Sequence, residues 1–190
     1  MSLQTREGWY LVAVDKMYGI FQRSGYDIPK FRIGCGWPIG NRAKVEGQCF
    51  GKDLSKDEAY EIFVSPTISD PVKILVIIVH ELCHAIAGIK AKHGKPFIAV
   101  MRAVGMEKKW TGGHPGANLR EQLERISDDL GPYPHASLMI EKRVPGKKGS
   151  RLLLVECSCG LKIRMTRKWM DKIAQNERQL ICWLCGGVMK

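Results

Sequence analysis

Long hydrophobic runs are missing from this 190-residue chain. The longest uninterrupted aliphatic stretch is Ile74 to Val79, far short of the roughly 20 residues that a membrane-spanning helix needs. The opening residues show no basic segment followed by a sustained apolar one, so no secretory signal is read and a cytoplasmic location is expected. Internal repeats and low-complexity tracts are also absent. Acidic residues are few: 19 Asp and Glu stand against 30 Lys and Arg, a formal charge of +11. A hydrophobic content of 45% with 26% charged residues excludes a disordered chain.

The basic excess is uneven. Lys142 to Lys190 carries twelve basic and three acidic residues, a balance of +9, which leaves +2 for residues 1–141. A near-neutral front and a basic tail point to a tail that meets a polyanion, with DNA as the expected partner. Four thiolates on one Zn²⁺ would lower that local charge. Seven cysteines, an odd number, do not make a disulfide framework; four of them fall in the last 34 residues.

Periodicity predicts an α+β fold: a small sheet against helices, one of them central and buried. Apolar residues at helical spacing place a helix over 7–24. FRIGCGWPIG is a short strand candidate, VEGQCFGKD a turn or second strand, and AYEIFVSP the best strand. Asp70-Pro71 starts a helix expected over 71–89, since Asp caps and proline suits the first helical position. Further helices are expected over 95–104 and 118–130, with a loop over 107–117. PGKKGS at 145–150 is read as a linker between a domain of 1–144 and one of 151–190.

The central helix carries His80-Glu81-Leu82-Cys83-His84. Residues four apart share one helix face, so both imidazoles can reach one cation. Glu81 sits where it can act as general base without ligating the metal. Leaving three polar groups unpaired on so apolar a helix would cost on the order of a few kcal/mol each. A third ligand is needed; His93, followed by Gly94, is the favoured candidate and Glu107 the alternative. The spacing departs from the metzincin pattern, because Ala87 and Lys90 occupy its glycine and histidine positions. His114, Tyr133 and His135 are candidates for stabilising an oxyanion. Cys35, Cys49 and Cys83 are read as packing residues.

HELCHAIAGIKAKHGKPF resembles the core of the SprT-like metalloproteases, which include Spartan. The shared features are the HExxH helix, a third histidine before a glycine, and an aromatic, here Phe97. FRIGCGW, EGQCF and EIFVSP follow the family's order of upstream elements, and the resemblance covers roughly residues 5–105. It implies zinc held by His80, His84 and His93, with Glu81 as the catalytic acid/base. It also implies proteolysis of proteins bound or crosslinked to DNA.

Cys157-Ser-Cys159 and Cys182-Trp-Leu-Cys185 lie 22 residues apart, a zinc-ribbon pattern whose first pair is one residue shorter than usual. One catalytic and one structural zinc are therefore expected. Between the pairs, Lys162, Arg164, Arg167, Lys168 and Trp169 are candidates for phosphate contact and base stacking. Two other readings stay open: a nucleic-acid-binding zinc-ribbon protein with a non-proteolytic core, and a zinc hydrolase acting on a non-protein substrate.

Overall fold

A computed structural model describes residues 5–37, 45–139 and 152–190. The chain divides into two compact units, Met1–Lys142 and Arg143–Lys190. The linker read at 145–150 lies outside the described residues.

In the first unit, helix α1 spans Arg6–Arg23. Thr5 caps it, its hydroxyl accepting from the Gly8 N–H at 3.1 Å. Trp9, Tyr10, Ala13, Val14, Met17, Ile20 and Phe21 form its buried stripe. The helix ends at Ser24 and Gly25; Gly25 takes φ +80°, a conformation that costs glycine little. Strand β1 (Phe31–Cys35) follows, then β2 (Gly47–Phe50) and β3 (Tyr60–Val64). The sheet order is β1-β3-β2, so among the described residues β2 is an edge. β1 pairs parallel to β3 with Ile33 opposite Ile62, and β2 pairs antiparallel with Cys49 opposite Ile62. The FRIGC and GQCF segments are thus true strands, and the second of the two readings of VEGQCFGKD is the one adopted.

Helix α2 (Pro71–Ala87) runs through the core. Asp70 accepts from the Lys73 N–H at 2.7 Å, and Pro71 occupies the first turn. Ten of its residues are buried, including His80, Glu81 and Cys83. It stops two residues before the expected 89, because Gly88 takes φ +78° and a 3-10 turn over Ile89–Ala91 follows. Helices α3 (Lys95–Ala103) and α4 (Ala117–Leu130) close the unit with Phe97, Val100, Met101, Leu119 and Leu123 turned into the core. The architecture is α+β, a small sheet packed against helices.

The second unit is a hairpin of β4 (Leu152–Glu156) and β5 (Lys162–Thr166), followed by helix α5 (Arg167–Gln175). Val155 lies opposite Ile163, and Glu156 exchanges backbone hydrogen bonds with Lys190. Its buried centre consists of Val155, Cys157, Cys182 and Met189. So small a core rarely supports a fold without a cross-link or metal.

Candidate metal centre

His80 and His84 project from one face of α2, one turn apart. The 3-10 turn then swings the chain back, so that His93 faces them. The three rings offer nitrogens that all lie within 4.8 Å of one another. Ring centroids are 4.9 Å apart for His80 and His84, 5.5 Å for His80 and His93, and 4.9 Å for His84 and His93. Phe97 lies behind all three at 4.1–5.1 Å.

The reversal that delivers His93 differs from the sequence expectation. Gly94 has an ordinary φ of −80°, and the left-handed residue is Lys92, at φ 46°. A side chain on Gly94 would instead run into the Ala91 carbonyl, at 2.9 Å from its Cβ. Close approach, not a positive φ, calls for glycine there. A non-glycine residue at φ 46° costs of order 1–3 kcal/mol, strain of the kind found beside functional sites.

Electrostatics keep these rings neutral. Burial pushes His80 down to about 4, with His93 adding to the shift. Burial, then His80 and His93, pushes His84 down to about 3. Burial also lowers His93. Neutral imidazoles keep a lone pair free for a cation. His80 Nδ1 is buried and has no hydrogen-bond partner among the described residues. Three neutral imidazoles converging within 4.8 Å fit a borderline divalent ion, with one coordination position left open.

Glu81 is only 6% exposed. Burial pushes its carboxyl up to about 8, opposed by a hydrogen bond from the Cys49 backbone N–H. A cation beside it would favour the carboxylate. Glu81 and the three histidines line one cleft of about 660 Å³. Its other walls are the β2 edge, Lys73, Val76 and Ile77 of α2, and the Thr111–Gly113 loop.

Glu107, the alternative third ligand, is exposed and lines a different hollow with Gly105 and Gly116. None of the three oxyanion candidates lines the cleft. His114 and His135 are exposed, and the Tyr133 hydroxyl pairs with that of Tyr10. The sequence reading missed Thr111-Gly112-Gly113, whose adjacent glycines signal close backbone approach. At Gly113 (φ +52°) a Cβ would stand 3.1 Å from Val76 Cγ1. Cys49 and Cys83 are buried, as packing cysteines should be, while Cys35 is half-buried and accepts a hydrogen bond from Arg6.

In the second unit the sulfurs of Cys157, Cys159, Cys182 and Cys185 also converge within 4.8 Å. Cys157 and Cys185 are 3.4 Å apart, Cys159 and Cys182 3.6 Å. These separations are too long for disulfides and close to the roughly 3.8 Å edge of a tetrahedral zinc–thiolate site. The short first pair closes because Gly160 takes φ +89° and its N–H bonds to the Cys157 carbonyl at 2.8 Å. The second pair closes the same way, with Gly186 at φ +70° bonding to Cys182 at 2.9 Å. The Cys159 N–H draws the Cys157 thiol down, while at Cys185 the Gly187 N–H is outweighed by the sulfurs of Cys157, Cys159 and Cys182, which push that thiol up; a cation among them would favour the thiolates.

Lys162, Arg164, Arg167, Lys168 and Trp169 are all exposed. Lys162 is engaged by Glu156 at 3.0 Å, and Lys172 lies over the Trp169 ring. Trp183, which the sequence reading passed over, is 70% exposed at the tip of the second cysteine pair, beside an equally exposed Leu184.

Compared with family models, curated proteins and solved structures, the chain matches none. Among the described residues no helix is long and apolar enough to cross a membrane.

Proposed function

We propose that the chain is a zinc-dependent endopeptidase of the SprT type that cleaves proteins bound or crosslinked to DNA. The observation that carries this reading is the convergence of His80, His84 and His93 within 4.8 Å, in a cleft that also holds a buried carboxylate, Glu81. A structural histidine cluster has no use for that acid.

His80, His84 and His93 would hold the zinc, which when bound would polarise the scissile carbonyl and lower the pKa of its bound water to about 7. Glu81 takes a proton from the attacking water as the new C–O bond forms, and returns it to the amine nitrogen as the C–N bond breaks. The edge strand β2 fits a peptide substrate. The Ser65 N–H bonds to the Glu46 carbonyl at 2.9 Å, so residue 46 faces β3. Alternation then turns the Gly47 N–H and carbonyl and the Cys49 carbonyl to the edge that no described strand pairs, beside the cleft, while the Cys49 N–H is taken by Glu81. An extended chain can add to that edge by main-chain hydrogen bonds, which suits a protease of broad sequence tolerance.

In this reading the second unit is a zinc ribbon that brings the enzyme to DNA. Exposed Arg164, Arg167 and Lys168 meet phosphates, and the exposed Trp183 ring, with the face of Trp169 that Lys172 does not cover, offers stacking surfaces.

The test uses the full chain, loaded with zinc, on a DNA-bound basic protein. Glu81→Gln should keep its metal and lose about 10²–10⁴-fold in cleavage rate. Equal rates for the two proteins would favour the scaffold reading. Hydrolysis of an ester or non-peptide amide while proteins stay intact would favour a different substrate class.

A further inference from the structure

Between the sheet edge and α2 lies a contact that the metal site alone does not require. Gly47, the first residue of β2, is so close to α2 that a Cβ there would stand 2.5 Å from Ile77 Cγ2 and 2.7 Å from Glu81 Oε1. Real side chains essentially never come that near. Glu81 Cγ would be 3.1 Å away. Two residues along the same strand, the Cys49 N–H donates to the Glu81 carboxylate.

Gly47 and Cys49 share one parity, and it is the outward one, since the Glu46 carbonyl is taken by the β3 side. The strand therefore spends one of its free-edge donors on the acid. An edge amide ordinarily bonds to water or to an added strand. Here it fixes one carboxylate oxygen, and the bare α-carbon of Gly47 leaves room for the acid to turn toward the cleft. Ile77 lies one turn before Glu81 on α2 and crowds the same α-carbon. Glycine in a strand often marks close approach of another group; here what approaches is a buried carboxylate.

We propose that Gly47 and the Cys49 amide form a backbone seat that sets the orientation of Glu81, making Gly47 a positioning residue for the reaction. The role rests on the proposed function, because it presumes that Glu81 transfers the proton. It goes beyond that reading in making β2 a holder of the general base as well as a substrate edge. A methyl group at Gly47 meets Ile77 and the Glu81 carboxylate, and no atom of His80, His84 or His93 is among its nearest contacts, so it pushes the acid off its donor without touching the imidazoles.

The experiment compares wild type, Gly47→Ala, Ile77→Ala and the double variant, all as full chains with zinc content measured. The double variant removes the collision with Ile77 and keeps the one with Glu81, so it separates a folding defect from misplacement of the acid. Two readouts are taken: kcat and KM for protein cleavage, and hydrogen exchange at the Cys49 amide. The expected result for Gly47→Ala, and for the double variant relative to Ile77→Ala, is a kcat at least tenfold lower with KM within about twofold. The Cys49 amide should exchange at least about tenfold faster, with zinc content unchanged. Unchanged exchange and unchanged kcat in the double variant would overturn the seat. A Glu81→Gln protein as active as wild type would instead overturn the base assignment itself, and the seat's catalytic role with it.

Discussion

His84 stacks on Phe97 with ring centroids 4.1 Å apart and 25° between the planes. Phe97 is fully buried on α3 and also meets His80 and His93 edge-on or nearly so. One aromatic ring thus sets the backs of all three imidazoles. Phe97→Ala should cost about 3–5 kcal/mol of stability, as large-to-small core changes do. It should also weaken metal binding by about 10–100-fold, the usual effect of losing an outer-shell support. Thermal unfolding and chelator competition measure the two effects separately. Phe97→Leu should recover most of the stability and less of the affinity.

The second unit should depend on its metal for folding. Its core holds Val155, Cys157, Cys182 and Met189, so two of four members are themselves ligand candidates. Metal analysis should return about two zinc ions per wild-type chain and about one for Cys182→Ser. The hairpin of β4 and β5 should then lose amide protection while the first unit keeps its helical signal. Retained protection in Cys182→Ser would show that the fold stands without the ion.

Binding to single-stranded DNA should divide between stacking and charge. Trp183→Ala should lose about 1–3 kcal/mol, since that ring is largely open to solvent. Arg164→Ala and Arg167→Ala should each weaken binding evenly across sequences and reduce the salt slope by about one. Fluorescence titrations at several salt concentrations distinguish the two behaviours.

Acid should weaken the outer face of the sheet. The Ser55 hydroxyl, Lys30 and Arg32 hold the Asp57 carboxyl well below its usual range. Asp57 therefore binds fewer protons folded than unfolded, and its contribution is present above about pH 4. That contribution is lost as pH falls through the depressed native value. The group is exposed, so the effect is small. In urea unfolding, the gap between wild type and Asp57→Asn should shrink from about pH 5 to about pH 2.5. A constant gap would contradict the assignment.

Much of the first unit was legible because its signals are local. Asp70-Pro71 marks a helix start, and the apolar run behind it can only be buried. His80 and His84 share a face by helical arithmetic. The path to His93 was legible only in outcome, because the left-handed residue is Lys92 and nothing in a lysine announces that conformation. The cleft walls were less readable still. Gly47 and Thr111-Gly112-Gly113 reach the site through tertiary approach, and a glycine in sequence does not say what will come near it. Trp183 was overlooked because a tryptophan between two cysteines reads as packing, yet the knuckle turns it outward. No compositional feature distinguished His114, Tyr133 and His135 from cleft residues, and the fold carries them elsewhere.

The central claim is that three imidazoles hold one divalent ion beside a carboxylate. An anomalous difference map at the zinc edge, from crystals of zinc-loaded protein, tests it most directly. The account predicts a peak about 2.0–2.1 Å from one nitrogen each of His80, His84 and His93, with Glu81 in the same cleft and not among the ligands. A map with no peak there, or with the ion held by Glu81 in place of an imidazole, would contradict it.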